Sequence, residues 1–362
     1  MLLLVIYLHL FLANLLTDNL ESELELAWSG RLSDLITDLN YAPTGSSWVA
    51  SSAAGEVAWN ARLTELVILK QADGLSIERV RFSADGRWLA AGGQAGKLLI
   101  WNCEDPQIPP QLVQTIDIGT WIEHLVWHPH QSKLAISFGK HVQIWIPLAA
   151  TPITTWQFDR SSVFDLAWYP HGLKLAVAGY KGIQIWTPHE PLAPPQSINV
   201  DTASISIAWS RDGRYLAAGN LDRTLTISDR QHPAESWTLT GCPGKIRQLA
   251  WLVGTETPCL AVASGMAIIL WHLSTDATTW DGRLLEGHQG IISTLVAHPQ
   301  IPKLASGGAD GYTCIWTDAG EIEQIIDRSS LSEFTSLNWC PNKPYLGTGD
   351  RIGELNVWRI SA

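Results

Sequence analysis

The sequence predicts an all-β ring, a β-propeller of four-stranded blades, and three observations predict it. Short apolar runs ending in tryptophan recur at Trp59, Trp101, Trp145, Trp186, Trp271, Trp316 and Trp358, with Ser228 in the same frame between Trp186 and Trp271. The eight anchors lie 42, 44, 41, 42, 43, 45 and 42 residues apart. Between anchors, runs of alternating apolar and polar residues are bounded by Gly, Pro and Asp, the mark of short antiparallel strands. The 29 Gly and 19 Pro are spread along all 362 residues instead of being gathered into a linker, as recurring turns require. Four strands in each 41 to 45 residues is the period of a propeller blade.

Each unit opens with a strand ending in an aromatic, as in RVRF at Phe82, HLVW at Trp127, DLAW at Trp168, SIAW at Trp209, QLAW at Trp251 and SLNW at Trp339. A turn such as SADG (Ser83 to Gly86), YPHG (Tyr169 to Gly172) or SRDG (Ser210 to Gly213) follows. Next comes a small-residue strand, WLAAGG from Trp88, KLAVAG from Lys174, YLAAGN from Tyr215 or KLASGG from Lys303, and then the Trp-ended third strand. A fourth strand fits in the spacers, several of which carry their own tryptophan at Trp156, Trp237 and Trp280.

The ends set the count. The last unit stops at Trp358 without a fourth-strand segment, whereas LELAWSGRL (Leu24 to Leu32) has the character of one. The N-terminal strand is therefore expected to complete the last blade and close the ring, which removes exposed sheet edges. Eight blades are predicted; the alternative is seven, with a degenerate unit outside the ring. The domains are an apolar N-terminal extension over 1–20 and a propeller over 21–362.

Composition restricts the function. Apolar residues make up 46% and charged residues 16%, so the chain buries a large core and is not disordered. A balance of 24 basic against 35 acidic residues, net −11, with no basic run, argues against nucleic acid or anionic lipid as the main partner. Five cysteines without a CxxC pair signal neither a disulfide framework nor a zinc site. Leu2 to Leu16 is apolar, but it is shorter than the roughly 20 residues a spanning helix needs, and no Lys or Arg precedes Arg31. No membrane partner is expected; a tether to the cell envelope through this segment is the alternative.

FSADGRWLAAGG followed by LLIW, and the stretch from Glu286 to Trp316, resemble the tryptophan-aspartate (WD) repeat family, and the resemblance runs over about residues 24 to 362. It implies a hydrogen-bonded network from loop to strand for His288, Ser306, Asp310 and Trp316. Gly-His occurs once, at Gly287-His288, and no strand-ending tryptophan is followed by Asp, so most blades are expected to rely on apolar packing. The turns are similar to those of bacterial members. In the family, partners dock on the face made by the loop before the first strand and that strand's opening residues. The matching positions are Glu78, Trp121, Glu123, Phe164, Lys245, Arg247, Glu333 and Phe334. The resemblance implies a non-catalytic, cytoplasmic scaffold for protein or peptide partners, a monomeric propeller within a complex, with no cofactor.

Chemistry gives a second reading. No GxSxG, HExxH, P-loop or helix-opening GxGxxG is present, so an enzyme is not expected. His124, His128 and His130 form a histidine cluster, but one turn supplies two metal ligands at most, and no metal site is expected. Asp38, Glu78, Glu123 and Asp165 lie three or four residues before the end of their first strands. An acidic arc at the channel rim, serving a propeller enzyme or a metal-ion sensor, is the alternative.

Overall fold

In a computed structural model, the structure describes residues 25–106, 108–232, 236–327 and 332–360; the 1–20 extension lies outside them. Among the described residues there are strands and no α-helix, and the strands pair antiparallel into seven sheets, six of four strands and one of six. The inner strands are Ile36–Tyr41, Ile77–Phe82, His124–Trp127, Asp165–Trp168, the second half of Gln196–Trp209, Ile246–Trp251, Ile292–Ala297 and Phe334–Trp339. Each packs against the next and the last packs against the first, so the chain forms a closed ring.

The expectation of eight separate four-stranded blades is corrected at one place. In the fourth unit the second and third strands run together as Leu175–Trp186, and the fourth strand continues into the inner strand of the fifth unit as Gln196–Trp209. The two units thereby merge into the six-stranded sheet, giving seven sheets, although no unit lies outside the ring. Residues 196–209 hold neither Gly nor Pro, which permits the continuous strand, but 32–35 and 158–164 also lack both and still separate two strands, so the missing breaker is not by itself the reason. At the hairpin between the merged strands, Gly182 has φ +105°, and a Cβ there would meet Ile198 O at 2.1 Å.

The closing strand is where the sequence puts it. Glu25–Arg31 pairs with Glu354–Arg359 in the register Leu26 to Trp358 and Arg31 to Glu354. The first turns also follow their residues. Asp85 and Asp212 each accept from a serine hydroxyl (Ser83, Ser210) and from the backbone N–H of the arginine two residues on, while Gly86 and Gly213 take the left-handed position at φ +71° and +73°.

The apolar core lies between units. The second strands are small and almost fully buried, and each hydrophobic cluster joins residues of two consecutive units: Val49, Trp59, Val80 and Trp101 bridge the first and second, and Leu270, Leu285, Leu304 and Trp316 the sixth and seventh.

Tryptophans also bond across the same junctions. At the end of an inner strand, Trp127 donates its indole N–H to Arg81 O, Trp168 to Val126 O, Trp209 to Ala167 O, Trp251 to Ala208 O and Trp339 to Val296 O, at 2.9 to 3.2 Å. In each case the acceptor is the next-to-last residue of the preceding inner strand. Fourth-strand tryptophans reach the following unit at the periphery, Trp28 to Thr64 O, Trp156 to Pro191 O and Trp237 to Thr278 O. Where the first and second units end in Tyr41 and Phe82, an asparagine of the preceding strand takes over. Asn338 Oδ1 accepts from Tyr41 N–H and Asn40 Oδ1 from Phe82 N–H. Trp168 is buried, with its ring set edge-on to His128 at 4.9 Å. Trp168→Phe keeps most of the ring and removes the N–H, and is expected to cost about 1–2 kcal/mol in urea unfolding; a cost near zero would mean the bond contributes nothing to stability.

Candidate functional site

Because strands alternate in direction, the loop before each inner strand and the turn between second and third strands share one end of the ring. On this loop face the seventh unit contains a directed chain of side-chain bonds. Trp316 Nε1–H donates to Ser306 Oγ at 2.8 Å, and Ser306 lies 2.8 Å from His288 Nε2. His288 Nδ1 lies 3.0 Å from Asp310 Oδ2. Asp310 also accepts from the backbone N–H groups of Gln289, Gly290 and Tyr312. All donors are satisfied if His288 carries its proton on Nδ1. Burial pushes the Asp310 carboxyl up, but His288 and the backbone donors outweigh it and hold the carboxyl below its ordinary range. His288, Ser306, Asp310 and Trp316 thus tie the loop to the blade.

The carboxylates read as an acidic arc do not form one. Asp38 is almost wholly buried, accepts from Val80 N–H at 2.9 Å and pairs with Arg81. Asp165 Oδ2 accepts from Ile207 N–H at 2.8 Å, so both aspartates bind the backbone of the next inner strand. Arg79 and His124 stand between them in the ring order. Asp165, encircled by the inner strands, is pushed up to about 6 by burial, against the pull of the Ile207 and Leu166 N–H groups. Burial, then the charge of Arg79, takes His124 down to about 4. Burial thus disfavours the charged form of both groups, whose side chains approach to 3.9 Å. Burial raises the Glu123 carboxyl, and Glu123 Oε2 accepts from Gly139 N–H at 3.0 Å.

The histidine cluster is likewise occupied. His128 Nδ1 accepts from the backbone N–H of His130 and Gln131, and Nε2 donates to Gly172 O at 2.8 Å, leaving no ring nitrogen for a metal. Among the described residues no group of three or more His, Cys, Asp or Glu is placed to hold a metal ion.

Of the positions aligned with a docking face, Trp121 is 48% exposed and Phe164 38%, while Lys245 and Arg247 are exposed on either side of the buried Ile246. Glu78 and Glu123 are half-buried near the rim, and Glu333 is paired with Arg351 at 3.0 Å. Phe334 is a correction: it is fully buried between the seventh and eighth units and cannot touch a partner. The sequence reading missed a second set of residues on the same face. Tyr180, Leu221, Met266 and Ile352 occupy turns between second and third strands, 41–55% exposed, and Leu75 and Ile291 stand before inner strands. Their signal was a large apolar residue in a tight turn, where polar residues are the rule.

The strands and their ring define a β-propeller, and WD repeats are found in it in three places. The family described as "WD domain, G-beta repeat" matches residues 66–102, 194–229 and 281–317, each running from a fourth strand through the next third strand. The chain is 29% identical over 160 residues to the anaphase-promoting complex subunit cdc20 of Dictyostelium discoideum, covering 42% of this chain and 30% of that protein. It is 22% identical over 167 residues to a guanine nucleotide-binding protein subunit beta of Solanum tuberosum, covering 43% of this chain and 44% of that one. The alignments thus span less than half the length of these relatives. In structure it is similar to the C-terminal WD40 domain of Sif2 (TM-score 0.77, 15% identity, 94% of this chain and 99% of that one). It is also similar to Sqt1 from Chaetomium thermophilum (TM-score 0.79, 15% identity, 94% and 100%).

Asp310→Asn tests the network. A carboxyl held below its unfolded pKa stabilises the fold above about pH 4, and that contribution fades as pH falls through the folded value. The variant is expected to be about 1–3 kcal/mol less stable than wild type at pH 7, with the gap closing in acid; a gap that widens in acid would contradict the assignment.

Proposed function

We propose that the protein is a non-catalytic propeller scaffold that holds protein or peptide partners on its loop face. The observation that carries this reading is that exposed large apolar side chains stand beside charged ones on the loop face, although apolar residues such as Leu148, Leu173 and Leu192 are exposed at the other end as well. Leu75, Trp121, Phe164, Tyr180, Leu221, Met266, Ile291 and Ile352 recur around one end of the ring, in loops set on a rigid frame. Aromatic residues beside charges are what binding hot spots use. The alternative, chemistry by channel carboxylates, is disfavoured because Asp38 and Asp165 already hold the backbone of neighbouring inner strands.

A cytoplasmic setting belongs to the same proposal and is supported by five free cysteines. Burial pushes the thiols of Cys103, Cys259 and Cys314 up to about 12, which makes them poor nucleophiles. Among the described residues no helix is long and apolar enough to cross a membrane.

The test is capture from native lysate with wild type and with Trp121→Ala plus Phe164→Ala. Loss of a stoichiometric partner from the double variant, at unchanged melting temperature, is the expected result; retention of every partner would remove the loop face from the account.

A further inference from the structure

We propose that the arc of the loop face from the fourth to the sixth unit binds an extended segment of a partner protein that alternates acidic with aliphatic residues. The proposal rests on the loop face being the protein-binding surface and assigns the chemistry of what it binds.

The arc runs against the charge of the whole. The chain carries net −11, yet Lys181, Arg223, Lys245 and Arg247 are exposed here and none forms an ion pair among the described residues. Elsewhere on the face Lys70 lies 2.9 Å from Asp73 and Arg351 lies 3.0 Å from Glu333, while Lys97 and Lys140 are single exposed cations, each in its own unit and not part of a cluster. The carboxylates of the arc are Asp159, Asp201 and Asp222, and Asp222 is taken up by its own turn, accepting from the N–H and hydroxyl of Thr224.

The arc is continuous and shaped. Arg160 donates to Lys181 O and Asn199 Oδ1, fastening the loop before the fourth unit to the hairpin of the merged sheet. Arg223 reaches Pro243 O at 3.4 Å, joining the turn of the fifth unit to the loop before the sixth. The merged strands of 12 and 14 residues carry Tyr180 and Lys181 at their hairpin, where Lys181 itself holds φ +65°. Lys245 and Arg247 are both exposed on either side of Ile246, which is buried in the core. Between the cations lie Phe164, Tyr180, Leu221 and Met266, 38–55% exposed. Apolar side chains spaced among unpaired cations complement an extended segment that presents carboxylates and aliphatic groups in alternation.

The probe is a labelled peptide alternating Glu and Leu, with one alternating Lys and Leu as control, read by fluorescence anisotropy. Wild type is expected to bind the acidic peptide alone, more weakly as salt rises. Lys245→Glu plus Arg247→Glu is expected to weaken binding at least about tenfold. Lys97→Glu, exposed on the loop face of the second unit, leaves it unchanged. Equal binding of both peptides, no effect of the charge reversal, or its effect falling on anionic vesicles and not on the peptide would overturn the proposal. The Trp121 and Phe164 capture reports separately on the platform: a partner lost there and kept by the charge-reversed variant sinks the arc's chemistry and leaves the platform standing.

Discussion

A propeller blade is a small sheet with two faces to cover, and the covering has to come from its neighbours. Here the junctions are held by one repeated interaction, an indole N–H reaching the backbone carbonyl of the adjoining unit. Five such bonds lie along the inner strands and three at the periphery. Each is worth only about 1 kcal/mol net, but the same side chain also brings its large apolar area into the junction. Tryptophan combines the two, which is why it outnumbers Phe and Tyr together, 19 against 6 and 7.

The junctions that lack the indole show what the interaction has to supply. Asn40 and Asn338 replace it with an acceptor aimed at the next strand's N–H, so polarity reverses while the link between units persists. Between the sixth and seventh units Ala297 occupies the tryptophan position, and the junction rests on the apolar cluster around Leu252, Leu270, Leu304 and Trp316. The inner-strand aspartates belong to the same system. Asp38 and Asp165 lie on the inner strands and resemble a reactive site, yet their oxygens accept backbone N–H groups of the following units.

How much of this was legible follows from what repeats. The period, the strand order and the closing role of Glu25–Arg31 come from features that recur in every unit, and the turns at Asp85 and Asp212 are local chemistry. The merging of the fourth and fifth units was not foreseen, because spacers equally free of Gly and Pro, such as 158–164, still break the chain, so composition does not mark where a strand runs on. The candidate site was half legible. Residues before inner strands, such as Trp121, could be placed by frame, while Tyr180, Leu221 and Met266 reach the same face from a different turn, and only the antiparallel arrangement unites them. Phe334 failed because it stands five residues before Trp339, the alternate position whose counterparts Ile77, Ile122 and Ile246 are buried, whereas Phe164 stands four before Trp168.

Hydrogen exchange of the indole protons tests the role of these bonds most directly. If the ring is fastened as described, the Nε1 protons of Trp127, Trp168, Trp209, Trp251 and Trp339 exchange through opening of the ring, orders of magnitude more slowly than that of the exposed Trp121. Exchange of all five at the rate of Trp121 would show that the units are held by packing alone and would contradict the account.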